Sequence, residues 1–426
     1  LLYSSSLRGD HSIDWLDIDY GLAFSQTHNY VPNERTWQFW LANAFAEKNR
    51  DTSVTRSYTP SQVISLSNDA GDEQTLKNIT LYNMGYKTND MMQKDLSIYF
   101  DLKAHFKFGD NISGYLKGGG KYKSIIRTVN FMNSAQFAAT NPFLGGVIKQ
   151  SYNWLQQVGW NIIASPFYDH MVSDFLGGQY NFGWYPNLNR LNDIWNVWNH
   201  YSNNLISQGS EEVIKQVGAL TRIGFVPDFY GSSIYNQDIK EKYWATYLMS
   251  EINFGSLVMI VPGIRYERVT DDMIGNQVYN LSQAYTLTFP RTYTSASRKD
   301  EYWLPMFQMK IKPIEWLQVH TAFTKTLGRP SFDQIIPNIY INNGLQPYFY
   351  QAGNPDLKPE QWTSYDLQCS IYGNEIGLFS VGGFYKEVKD LIWSRTYTRI
   401  KGDQLVPGFP DNAQVTVVQT VNSQYK

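Results

Sequence analysis

The chain has 426 residues, a formal net charge of −2, one cysteine and 16% aromatic residues. The balanced charge excludes a broad basic face for nucleic acid, and the single cysteine excludes a disulfide framework or a cysteine-rich metal centre. No apolar run approaches the ~20 residues that a spanning helix needs; the longest, over 257–264, is interrupted by Pro262.

In chain order, residues 14–25 read first as a strand. Leu16, Ile18, Tyr20, Leu22 and Phe24 share one parity, and Asp17, Asp19, Gly21, Ala23 and Ser25 the other. Side chains alternate across a strand, so one face is apolar and the other polar. Residues 94–108 repeat the design. Leu96, Ile98, Phe100, Leu102 and Phe106 stand opposite Asp95, Asp101, Lys103 and His105. That run is longer than the ~5–6 residues of a typical globular strand and longer than the ~9–11 that cross a bilayer at a tilt. The pattern predicts that Leu96, Ile98, Phe100, Leu102 and Phe106 face lipid. Asp17, Asp19, Asp95, Asp101, Lys103 and His105 are then expected to face a wet lumen. A tight turn follows at 108–111. The Gly- and Lys-rich stretch 114–123 lacks P-loop spacing and reads as another barrel strand, with glycines where something approaches closely.

A long excursion runs roughly over 130–240. A structureless loop of that length is improbable unless it is functional. Residues 133–143 are compatible with a short helix stopped near Asn141-Pro142. In 189–201, Leu191, Ile194, Trp195 and Trp198 recur at helical spacing, which suits a helix pinned by Trp195 and Trp198. Trp154, Trp160, Trp184 and Tyr185 lie outside that stripe and are the candidate ligand-stacking residues. No arginine cluster stands out in the loops. The six histidines are scattered without metal-ligand spacing, and no nucleophile or dinucleotide motif is present. Neither an enzyme, a metal nor a cofactor is therefore expected. Alternating strands resume at 316–324, 364–372 and 377–385. Short turns alternating with long loops suit an outer-membrane barrel better than a soluble sandwich, whose turns recur every ~8–12 residues.

Four segments carry a resemblance. Residues 243–270 contain the run Gly263-Ile264-Arg265-Tyr266-Glu267, and 302–337 a Leu-Pro strand followed by Arg329-Pro330-Ser331-Phe332. Residues 353–360 read GNPDLKPE, with Gly353, Asn354, Pro355, Leu357, Lys358, Pro359 and Glu360 in the motif positions, and 379–393 contain Phe384-Tyr385-Lys386. Together these resemble TonB-dependent outer-membrane receptors. The resemblance implies an all-β fold: a large antiparallel transmembrane β-barrel of the 22-stranded type, with long extracellular loops containing short helices. It places GNPDLKPE at the extracellular end of a strand pair, its prolines ahead of the ladder. Neither the family's N-terminal plug nor its energy-coupling box is legible, and 415–426 reads as the start of a further strand. The whole chain, 1–426, is thus expected to be a partial barrel that includes the 130–240 loop region.

The resemblance further implies an outer-membrane location in a Gram-negative bacterium and import of a large, scarce solute. Its implied partners are membrane lipid, a TonB-type energy-coupling protein and an outer-membrane or surface lipoprotein, and no nucleic acid. The alternative is a plugless or fragmentary barrel acting as a structural or docking subunit.

Overall fold

The computed structural model describes residues 1–41, 79–137, 168–170, 184–193, 195–196, 226–227, 232–280, 292–342, 348–373, 377–399, 409 and 413–423. The first strands are β1 (Leu2–Ile13), β2 (Leu16–Leu41), β3 (Ile79–Phe108) and β4 (Ile112–Phe137). Three short ones follow: β5 (Tyr168–His170), β6 (Trp184–Pro186) and β7 (Val226–Pro227). Then come β8 (Gln237–Phe254), β9 (Val258–Asn280), β10 (Thr292–Ile314) and β11 (Leu317–Gly328). The last are β12 (Ile339–Asn342), β13 (Tyr348–Ala352), β14 (Glu360–Gly373), β15 (Gly377–Lys389), β16 (Ile392–Arg399) and β17 (Val415–Asn422).

The wall of the fold is one meandering antiparallel sheet in the order β1-β2-β3-β4-β8-β9-β10-β11-β14-β15. Among the described residues it does not close on itself, so the architecture is an incomplete β-barrel. Tight turns join the strands at one rim. Asp14 (φ 43°), Gly109 (φ 61°), Gly255 (φ 55°) and Gly377 (φ 72°) supply left-handed backbone there, a conformation most side chains resist. The long connections all leave from the other rim.

Parity divides the sheet into two faces. On the outer face an aromatic row crosses from β4 to β15. Tyr122 packs on Trp244 (ring centroids 4.5 Å apart), Tyr266 on Trp303 (4.9 Å), and Tyr365 on both Phe323 (5.3 Å) and Tyr385 (6.2 Å). Trp15, Phe108, Phe254 and Trp316 are exposed near the tight turns. Exposed aliphatics such as Leu116, Leu248, Ile264 and Leu367 fill the band between. Cys369 is a free thiol whose register neighbours on this face are Val319 and Val381. Paired aromatic rows around an apolar band are the outer surface of a membrane barrel.

The buried core lies away from this band, where the surface segments fold back. Ile335 and Ile336, from the helix Phe332–Ile335 and its end, pack with Leu357 against Ile239 of β8 and Met273 of β9. A second cluster joins Ala413, Val415 and Val417 to Tyr348, Tyr350, Tyr397 and Phe409. It belongs to a surface sheet in which β12 pairs parallel with the tip of β9, then β13, β17 and β16 follow.

Three expectations change. The excursion is shorter than 130–240, because β4 continues to Phe137 and β8 begins at Gln237. The first half of 133–143 is therefore strand rather than helix; cross-strand pairing of Asn133–Phe137 with Asn83–Lys87 overrides its helical composition. Finally, β17 is not a wall strand. It turns its valines into the surface core, Val415 1% and Val417 0% exposed.

Candidate functional site

The inner face begins polar at β1–β3. Asp17 accepts from Ser12 Oγ (2.9 Å) and pairs with His105 Nε2 (2.7 Å) and Lys103 Nζ (3.7 Å). Asp19 accepts from Arg8 (3.1 Å) and Tyr99 (3.1 Å). Asp101, its direct neighbour in register, accepts from Tyr247 (2.8 Å) across β4. Two carboxylates side by side repel, and each takes its own donors instead of facing the other unrelieved. Gly119 makes the room: a Cβ there would stand 1.9 Å from Asp101 Oδ1. Asp95 accepts from Gln93 Nε2 (3.1 Å). On the opposite parity Ile98, Phe100 and Leu102 are 44%, 48% and 39% exposed, whereas Leu96 and Phe106 are half-buried.

Further along the same face, two sequence motifs meet. Gly263, Arg265 and Glu267 share the inward parity of β9. Arg265 Nη2 donates to Tyr243 Oη (2.7 Å) and its Nε to Glu267 Oε1 (2.6 Å). Arg329, from the Arg-Pro-Ser-Phe motif after β11, donates to Glu267 Oε2 (2.7 Å). One carboxylate thus serves two guanidinium groups. They border a cavity of about 860 Å³, lined also by Lys121, Lys123, Met249 and Met306. Such a recess offers cationic and hydroxyl donors beside thioether and methylene surface, suited to a solute with negative charge and an apolar body. Above it, Arg298 forms ion pairs with Asp271 (3.6 Å) and Asp300, all three side chains largely buried.

GNPDLKPE forms a clamp between wall and surface sheet. Gly353 N donates to Asn338 O (2.9 Å), and a Cβ on Gly353 would stand 1.8 Å from Ile336 O. Asn354 Nδ2 donates to Thr420 O of β17 (3.0 Å). Leu357 is 1% exposed. Lys358 N donates to Asn422 Oδ1 (2.8 Å), whose Nδ2 returns to Lys358 O (2.9 Å) and Asp390 O (2.7 Å). Glu360 opens β14 and accepts from Ile392 N (2.8 Å) and Trp362 Nε1 (3.1 Å). Pro355 and Pro359 precede the ladder, where no donor is needed.

Of the loop aromatics, Trp154 and Trp160 lie outside the described residues. Trp184 and Tyr185 belong to β6, paired with His170 and Asp169 of β5. A helix runs through 188–193 and 195–196. Trp195 pins it, 8% exposed, with the Arg35 guanidinium 3.8 Å above its ring and Tyr86 edge-on; Trp198 lies outside the described residues. The Arg265–Glu267–Arg329 network escaped the loop-centred reading of the sequence. Its signal was the i, i+2 spacing in GIRYE and the shared parity of Lys117, Lys121 and Lys123 in GYLKGGGKYK, which aims these charges inward.

Together, an apolar outer band with aromatic borders and a charged inner face define the wall of a membrane-spanning conduit. Among the described residues no helix is long and apolar enough to cross a membrane. The family model described as TonB dependent receptor-like, β-barrel, matches residues 4–423, and the chain belongs to that family. Solved structures to which the chain is similar include the ferric-catecholate import receptor Fiu from E. coli K12 in its closed form. The two share 11% identity over 100% of this chain and 45% of that one, with a TM-score of 0.47. The unliganded ferric citrate transporter FecA has 10% identity over 98% of this chain and 38% of its own, TM-score 0.39. The RagAB peptide transporter has 10% identity over 92% and 31%, TM-score 0.39. The chain spans less than half the length of these receptors. No curated protein matches it.

Proposed function

We propose that this chain is the membrane wall and surface sheet of an outer-membrane receptor of a Gram-negative bacterium. Its role is to import a large, scarce solute with energy from a TonB-type partner. The observation that carries the reading is the two-faced wall itself. The outer face, including Leu96, Ile98, Phe100, Leu102 and Phe106, meets lipid, while Asp17, Asp19, Asp95, Asp101, Lys103 and His105 face water within the conduit. The inner cavity beside Arg265 and Arg329 lies along the solute's route. Trp154, Trp160, Trp184 and Tyr185 contribute to capture at the surface, where a lipoprotein partner also docks. Nothing in this role requires catalysis.

The full-length protein, expressed in an outer membrane, tests the reading. Ferric chelates, cobalamin, oligosaccharides and peptides are offered to cells, and accumulation is followed with and without a proton gradient. At least one solute is expected to accumulate only in the energised cells. A surface-exposed protein that binds and accumulates none of them, while its deletion disperses an outer-membrane complex, would establish the structural role instead.

A further inference from the structure

The outer face of β8, β9 and β10 changes chemistry abruptly at its aromatic row. In register, Thr246, Tyr266 and Trp303 lie side by side. The next outward row is Trp244, Arg268 and Glu301, then Lys242, Thr270 and Lys299, then Lys240, Asp272 and Ser297. Successive rows are two residues apart, so all four lie on one face. Towards the tight turns that face is apolar, with Leu248 52%, Ile264 43% and Phe307 38% exposed. Away from them, Lys240, Lys242, Arg268 and Lys299 are all exposed. Two of these four cations share one carboxylate, and against Glu301 and Asp272 the four leave the patch with a net charge of +2. Glu301 is shared between Lys299 Nζ (2.6 Å) and Arg268 Nε (3.7 Å), and Asp272 accepts from Ser297 Oγ (2.7 Å). Asp238 stands one step higher, beside Ile274.

We infer that Lys242, Arg268 and Lys299 form an outward-facing site for the phosphate of a lipid headgroup. The inference rests on the membrane placement proposed above but not on any imported solute. Facing residues on adjacent strands have Cβ atoms ~5 Å apart. Lys242 and Lys299 therefore flank Thr270, with Arg268 immediately below, and one phosphate over Thr270 reaches all three. A guanidinium offers a phosphate two parallel hydrogen bonds, and the two ammonium groups supply charge around it. Trp244 and Trp303, 55% and 64% exposed, mark the level at which headgroups lie, since indoles favour the membrane–water interface. The acyl chains of such a lipid would then run down the apolar face past Leu248, Ile264 and Phe307. The cluster is on the opposite face from the cavity, so it cannot contact a solute inside the conduit.

Native mass spectrometry of the detergent-purified full-length protein tests this. Phosphatidylglycerol, phosphatidylcholine and inorganic phosphate are added separately. The wild type should retain phosphatidylglycerol in preference to phosphatidylcholine. The variant K242Q/R268Q/K299Q should lose that preference by about 100-fold, given ~1 kcal/mol for each basic residue near an anionic surface. The control K107Q/K386Q, which removes exposed charge of the inner parity, should keep it. The single variant K242Q, reduced about fivefold on the same basis, serves if the triple does not fold. Equal retention of the two lipids by the wild type overturns the assignment. So does equal loss in the control, or tight binding of inorganic phosphate alone. Unchanged lipid preference in the triple variant together with loss of a copurifying protein would make the patch a protein interface and also overturn it.

Discussion

Replacing Gly353 with alanine should loosen the surface sheet while sparing the wall. The added Cβ would lie 1.8 Å from Ile336 O and 3.0 Å from Ile336 C. Both are backbone atoms, so no side-chain rotation relieves the clash and the two segments must separate. Separation strains the hydrogen bonds from Gly353 N to Asn338 O (2.9 Å) and from Asn354 N to Gln334 O (2.8 Å). It also shifts Leu357 out of its pocket against Ile239 and Met273. Overpacking costs about 1–3 kcal/mol, and each lost hydrogen bond about 1 kcal/mol more. Together these give roughly 3–5 kcal/mol, or amide exchange ~100- to 4,000-fold faster where local opening governs it. Hydrogen exchange on the detergent-purified full-length protein reads this directly. Peptides covering 332–342 and 354–360 should speed up, and those covering 303–311 should not. G383A is the control, because nothing lies within 4 Å of a Cβ at Gly383. Exchange in 332–342 unchanged within threefold would refute the reasoning and leave Gly353 without a steric role.

Three other outcomes are expected. Ile98→Arg, at an outer-face position 44% exposed, should cost about 2–4 kcal/mol if it lies near the bilayer midplane; urea unfolding from lipid vesicles measures it, and a loss below 0.5 kcal/mol would remove Ile98 from the lipid face. Trp195→Ala deletes a buried ring stacked under Arg35 and should cost about 3–5 kcal/mol of local packing. Protease added to intact cells should then cleave near 188–196 faster, and an unchanged rate contradicts the pinning role. Alanine at Trp154, Trp160 and Trp184 together should weaken solute binding, each stacked ring contributing ~0.5–1.5 kcal/mol beyond its buried area, without shifting the unfolding temperature of the barrel. Titration calorimetry showing unaltered affinity would move the search to the inner face.

The wall was legible because its signal is local. Alternation over 94–108 depends only on the chemistry of neighbouring residues, and those residues lie within the single strand β3. Turn chemistry was legible too: the glycine at 109 sits where a left-handed residue is required. The surface sheet was not. Its pairs join residues distant in sequence, such as Ile339 with Gln277 and Tyr348 with Val415, and no local pattern encodes a parallel partner. The same limit explains 133–143, whose composition suits a helix until β3 supplies a strand to pair with. Arg329 and Glu267 illustrate a third case. Each was visible as a motif residue, but their meeting depends on the rotation of two strands around the wall.

The surface sheet meets the wall twice, by pairing at β9 and by chain continuity from β15 into β16, and this sets how the curve is held. One path from β9 to β15 runs through β10, β11 and β14. Another leaves the tip of β9 through β12, β13 and β17 to β16, which continues β15 after Asp390. The two routes make an arch with a tie across its top. Flattening the arch would stretch the tie, and stretching the tie would tear its ladders and the Asn354 and Asn422 clamps beneath them. The bend of this part of the wall therefore does not depend on closure of the sheet.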